Sequence, residues 1–228
     1  GHSGFHNAIH GPAAAAIDAD GRASLAQVCF MELTGGEYGR GLIAMATYLA
    51  QHYDLDGISL TELEYNRYCY DDRCLKSFED DNNTQRWPHH LLSLTVDREN
   101  PMVGEWRSRH MSRFLKQIAD SVHKYGKKLF VDVPAHENTL ESQGLQCGLY
   151  YPALLEFSDA LIVWDYFYLD GRSPSSSRDI AQFFTSRYDP DRIIISIGLW
   201  GAQNPVSADE LSEAVRSAQR GGARNIWV

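Results

Sequence analysis

The chain has 228 residues, 43% of them hydrophobic and 22% charged, enough to bury a full core as one domain of α/β size. Its formal net charge is −9, and its Lys and Arg residues are scattered through helical segments instead of forming a stripe, which argues against a nucleic-acid partner. No apolar run approaches the roughly 20 residues needed to span a bilayer, and residues 1–25 lack the basic start and apolar centre of a signal peptide.

The first segment carries His2, His6 and His10 at i, i+4, i+8, a spacing that would gather three imidazoles on one helix face. Gly1, Gly4 and Asn7 argue against a regular helix there, and no HExxH motif accompanies it, so no metal is assigned to it. A strand is expected over Ala26–Glu32, a helix over Gly39–Tyr53 and a strand over Gly57–Leu60. Thr61 to Met102 then reads as a loop of some forty residues, a length that is usually functional. Within it Cys69 and Cys74 bracket Tyr-Asp-Asp-Arg, a spacing open to a small disulfide, to half of a metal site, or to two reduced thiols. Cys29 falls in the first strand and Cys147 in a loop.

Beyond that loop the pattern becomes regular. A helix over Val103–Tyr125 precedes a strand over Lys128–Pro134, and a helix over Tyr151–Phe157 precedes a strand over Ala160–Tyr166. A helix over Ser175–Tyr188 leads to a strand over Ile193–Leu199, and a helix over Ala208–Arg220 to a last strand, Asn225–Val228. Ser207 and Glu210 make a capping box for the last helix, and Gly126 and Gly221-Gly222 follow helices as turns. Several strands are continuously apolar, as strands covered on both faces are. This βα alternation predicts an α/β fold, a (β/α)8 TIM-type barrel. Six strands against eight, with an abrupt start, suggest that residues 1–228 are a single catalytic domain lacking its first one or two βα units and belonging to a longer protein with a possible further domain. A doubly wound open sheet is the alternative, because the same alternation produces it.

Acids at the ends of parallel strands are the candidates for chemistry. Glu62 and Glu64 follow Gly57–Leu60 and would point the same way if the strand continued, giving the paired carboxylates that glycosidic cleavage needs. An acidic pair on a solvated loop is the competing reading. Asp165 interrupts an apolar, aromatic strand between Trp164 and Tyr166, surroundings that raise a carboxyl pKa and stack on sugar faces; its alternative is a structural acid bonded to a neighbour. Asp132 lies within Lys128–Pro134, with His136 just beyond, and either supports the acid pair or fixes a nearby cation. Trp200 and Trp227 at strand ends, with Tyr65, His136 and Glu32, complete the substrate contacts, although Trp227 equally suits core packing. There is no phosphate-binding loop, no G-x-S-x-G elbow and no CxxC pair, and the reading calls for no cofactor.

These segments resemble a broad group of glycoside-hydrolase-like barrels, which includes the family-ten-like glycosyl hydrolases and the hydrolase domain of biofilm poly-N-acetylglucosamine processing proteins. The resemblance rests on Tyr53–Leu60 (YDLDGISL) with the acids after it, Cys69–Phe78 (CYDDRCLKSF), the helix from Glu105-Trp106-Arg107 to Phe114, and Gly222–Trp227 (GARNIW). It implies a barrel with an acid at the end of its fourth strand, which places that acid at Glu62 with Glu64 close behind. A fainter similarity to the chitinases rests on Trp164-Asp165-Tyr166. Ser59 and Thr61 stand where the chitinase row has aspartates, so substrate-assisted hydrolysis does not carry over.

The expectation is hydrolysis of a glycosidic bond in a polysaccharide by Asp165 and Glu62, in an extracytoplasmic setting inferred from that substrate class. The competing class is a non-catalytic carbohydrate-binding barrel, which is favoured if Glu62 and Asp165 face different sides of their strands. A metal-dependent lyase or deacetylase would require His136 or the amino-terminal histidines to converge with Asp132.

Overall fold

The structure is a computed structural model that describes residues 15–65, 67–92, 95–135, 147–199 and 205–228. It opens with an antiparallel pair, β1 (Ala15–Ile17) and β2 (Ala23–Val28). Two helices follow, α1 (Phe30–Thr34) and α2 (Glu37–His52), then β3 (Gly57–Leu60). The chain continues through α3 (Asp72–Asn82), α4 (Pro101–His123) and β4 (Lys128–Pro134) to α5 (Tyr151–Phe157) and β5 (Ala160–Asp165). It closes with α6 (Ser177–Thr185), β6 (Ile193–Ile197), α7 (Ala208–Arg220) and β7 (Asn225–Trp227).

Strands β3 to β7 form one parallel sheet in strict sequence order. A doubly wound sheet needs a point where the strand order reverses, and the described strands have none; a (β/α) barrel also keeps its strands in sequence order. This sheet has five strands among the described residues. Two expectations are corrected. Ala26–Glu32 is not one strand, because β2 ends at Val28 and the chain turns into α1, placing Phe30 against Tyr65 and Trp106 at ring distances of 5.0 and 5.3 Å. A seven-residue apolar run fits a strand or a buried helix equally, and packing decided between them. The stretch Thr61 to Met102 also holds helix α3, capped by Asp71, whose carboxylate accepts from the Arg73 and Cys74 amides.

The sheet has two unlike faces. Leu129, Val131, Val133, Leu161, Val163 and Ile195 join the main core beneath the helices. Helix α4 supplies much of that core through Val103, Met111, Phe114, Leu115, Ile118 and Val122, at the three- and four-residue spacing of one helical stripe. The alternate residues Ala160, Ile162 and Ile194, with Phe130 and Trp164, form a second cluster on the inner face. The expected capping box is present, with Ser207 and Glu210 each satisfying the other's backbone amide at α7. Gly222 follows α7 with φ 95, a conformation that an L side chain rarely adopts. No helix among the described residues is long and apolar enough to cross a membrane.

Candidate active site at the inner strand ends

Parallel register fixes which side chains share the inner face. Ser59 pairs with Phe130, Asp132 with Ile162, Trp164 with Ser196, and Ser196 with Trp227. Because side chains alternate, Ser59, Asp132, Trp164 and Trp227 therefore lie on one side, near the carboxyl ends of their strands. That is where barrel enzymes carry their chemistry.

Asp132 is the centre of this group. The Ser59 hydroxyl donates to its Oδ1 at 2.5 Å and the Trp164 indole N–H to its Oδ2 at 3.0 Å. Burial raises its pKa, against the lowering effect of hydrogen bonds from Ser59, Trp164 and Thr61. The indole of Trp164 lies nearly parallel to the ring of Tyr166, with centroids 5.5 Å apart and planes 12° apart, which makes a continuous aromatic wall beside the carboxyl. Tyr166 rests over Gly198, where an added Cβ would come within 2.7 Å of its ring, so this position needs glycine.

Glu62 lies just past β3, exposed, with φ 60. Burial first, then the charges of Asp132 and Glu62, raise the Tyr166 hydroxyl pKa, so all three groups act on one another across the strand ends. The left-handed turn at Glu62 breaks the strand alternation, and Glu64 does not share its environment. The Glu64 carboxylate accepts from the Cys147 thiol at 3.8 Å, and its charge acts on the buried Tyr151. The same-side pair expected of Glu62 and Glu64 does not form.

Asp165 stands on the opposite face. It has the parity of Leu161 and Val163, is 0% exposed, and faces Arg172 at 3.1 Å near Ser177 at the start of α6. Neither of its oxygens has a well-directed hydrogen bond. Burial still raises its pKa, outweighing Ser177 and Arg172. Its geometry is that of the structural acid rather than of a group that meets a sugar.

Two other expected contacts lie elsewhere. Tyr65 is buried, donating its hydroxyl to the Val28 carbonyl at 2.9 Å. Glu32 sits in α1, not at a strand end, and its carboxylate accepts from the Tyr38 amide in the first turn of α2. Trp227 is on the inner face, 45% exposed, with its ring 6.0 Å from that of Phe130, so it packs and remains accessible. His136 and Trp200 lie outside the described residues, as do the amino-terminal histidines. A groove of about 450 Å³ lined by Trp87, His89, His90 and Met102 belongs to the Thr61–Met102 insertion and contains none of the inner-face residues. Ser59 and Thr61 were not recognised from sequence as partners of Asp132. Ser59 in β3 and Thr61 just past its end both reach Asp132 on the neighbouring strand, and only the register reveals this.

No family model matches the chain, and no curated protein does. Solved structures do. The PgaB (BpsB) glycoside hydrolase domain from Bordetella bronchiseptica aligns with a TM-score of 0.68 and 13% identity, over 90% of this chain and 59% of that one. The catalytic domain of β-amylase from Paenibacillus polymyxa aligns at 0.61 and 13%, over 99% and 70%. β-Galactosidase from the psychrophilic Marinomonas ef1 aligns at 0.66 and 16%, over 98% and 41%. The chain thus spans less than two thirds of the first of these. Identities this low speak to architecture alone, and on that ground the chain has a glycoside-hydrolase-like α/β fold.

Proposed function

We propose that this chain hydrolyses glycosidic bonds of a polysaccharide, with Asp132 as the proton donor and Glu62 as the second carboxylate. The observation that carries the reading is Asp132 itself, a half-buried carboxyl with a raised pKa at an inner strand end, against the Trp164–Tyr166 wall. A raised pKa keeps a carboxyl protonated closer to neutrality, as the acid that protonates a leaving sugar oxygen must be. Glu62, exposed just past the end of β3, would attack, orient a water or stabilise the oxocarbenium-like transition state. The two near-parallel rings would stack on a sugar face and place its glycosidic oxygen towards Asp132. Such a substrate also motivates an extracytoplasmic location.

A non-catalytic carbohydrate-binding role is the second reading. It is favoured by Asp165 and Glu62 facing different environments, and by Asp132 having both oxygens engaged in hydrogen bonds. Product release from soluble polysaccharides, partly deacetylated amino-sugar polymers included, separates the two. Asp132→Asn and Glu62→Gln should each lower cleavage by about 10²–10⁴-fold while keeping the fold and sugar binding, and Asp165→Asn should keep catalysis. Binding without cleavage by the unaltered chain would establish the second reading.

A further inference from the structure

Away from the inner face, three cysteines and an aspartate that are distant in sequence meet in the core. Cys29 ends the β1–β2 unit, Cys69 lies in the segment after β3, and Asp71 and Cys74 begin α3. One ligand atom from each lies within 4.8 Å of all the others. Cys29 Sγ is 3.6 Å from Cys74 Sγ and 3.6 Å from Asp71 Oδ2, and no disulfide joins any of the chain's four cysteines. Cys29, Cys69 and Cys74 are each 0% exposed.

We propose that Cys29, Cys69, Asp71 and Cys74 form a structural zinc site that fastens β2 and α1 to the Cys69–Cys74 segment. A tetrahedral ion with Zn–S near 2.3 Å and Zn–O near 2.1 Å sets its ligands roughly 3.5–3.8 Å apart. The Cys29–Cys74 and Cys29–Asp71 separations already fall in that range. Three thiolates with one carboxylate select a borderline divalent ion, since the oxygen disfavours copper(I) and the closed set of four protein ligands leaves no position for substrate.

The surroundings prepare the ligands. Asp71 uses Oδ1 to accept from the Arg73 and Cys74 amides, which orients Oδ2 towards Cys29. The Phe30 N–H donates to Cys69 Sγ at 2.9 Å, as amides do to metal-bound sulfur, and Arg73 Nε lies 3.8 Å from Asp71 to offset the negative charge. Cys69 adopts φ 70, a strained conformation for a cysteine, while its own amide donates to the Ile17 carbonyl at 2.7 Å. A metal bond to its sulfur gives this conformation a purpose.

The test is to unfold the whole chain in chelator and reductant, refold it with zinc, and weigh it by mass spectrometry under non-denaturing conditions. One zinc per chain is expected. Cobalt(II) in its place should give a thiolate charge-transfer band in the near ultraviolet and visible bands of tetrahedral intensity. Cys74→Ser and Cys69→Ser should lose both the ion and the band. Asp71→Asn keeps the helix cap, so it should fold with zinc and bind it about tenfold more weakly or worse. A folded protein without zinc, a Cys29–Cys74 disulfide under native conditions, or zinc bound without the thiolate band, as amino-terminal histidines would hold it, overturns the proposal. So does unchanged zinc affinity in Asp71→Asn.

Discussion

Replacing Arg172 by methionine tests whether Asp165 is structural. The guanidinium is the cation beside a carboxylate that is 0% exposed, and it is itself only 10% exposed, with further bonds to Asp170 at 2.9 Å and Ser176 at 3.2 Å. Removing one partner of a buried pair leaves an uncompensated charge and costs about 3–5 kcal/mol. At roughly 2–4 °C per kcal/mol for a chain of this size, the midpoint of thermal unfolding should fall by roughly 6–20 °C at neutral pH. The pH dependence carries the sign. Burial already raises the folded-state Asp165 pKa, and losing Arg172 raises it further above the unfolded value of about 3.9. The folded variant then holds its proton where the unfolded chain has released it. Stability therefore falls as pH climbs from the unfolded pKa to the folded one, and levels off above that. Urea unfolding at pH 4.5 and pH 7 should show a small deficit in acid and the full deficit at neutrality. Pairing Arg172→Met with Asp165→Leu should recover most of it, since an apolar pair of similar volume replaces the ions. A loss below about 1 kcal/mol, or one equal at both pH values, would refute the assignment of Asp165 as a buried charge held by Arg172.

Other outcomes follow from the same geometry. Gly198→Ala places a Cβ about where the Tyr166 ring sits, and should weaken oligosaccharide binding by roughly tenfold, about 1.4 kcal/mol, in titration calorimetry. Tyr65→Phe removes a buried hydrogen bond to Val28 and should cost about 1 kcal/mol in urea unfolding while leaving cleavage unchanged. Because burial raises the Asp132 pKa, the protonated acid persists above the ordinary aspartate range of about 3.9 and is lost as pH rises through the folded-state value. The alkaline limb of kcat/KM should track that value and vanish with Asp132→Asn.

What was legible in the sequence was whatever depends on neighbouring residues. The strands Gly57–Leu60 and Lys128–Pro134, the helices Tyr151–Phe157 and Ala208–Arg220, and the Ser207 capping box are set by local periodicity and by partners three or four residues apart. Continuous apolar strands alternating with helices implied a parallel sheet, and β3 to β7 are parallel and in order. The acids and aromatics at strand ends were visible too, since charge and rings in an apolar run stand out in one dimension. Which face each residue served was not. Asp165 and Trp164 are adjacent and equally conspicuous, yet alternation sends Trp164 to Asp132 on the inner face and Asp165 to Arg172 beneath the helices, and only the register says which is which. The pairing of Glu62 with Glu64 failed because one left-handed residue ended the alternation. Cys29 lies forty residues from Cys69, too far for spacing to connect them. The missing half of the thiol cluster came into view only when the fold brought β2 against the segment after β3, because contact between distant segments is fixed by tertiary packing and by nothing local in the chain.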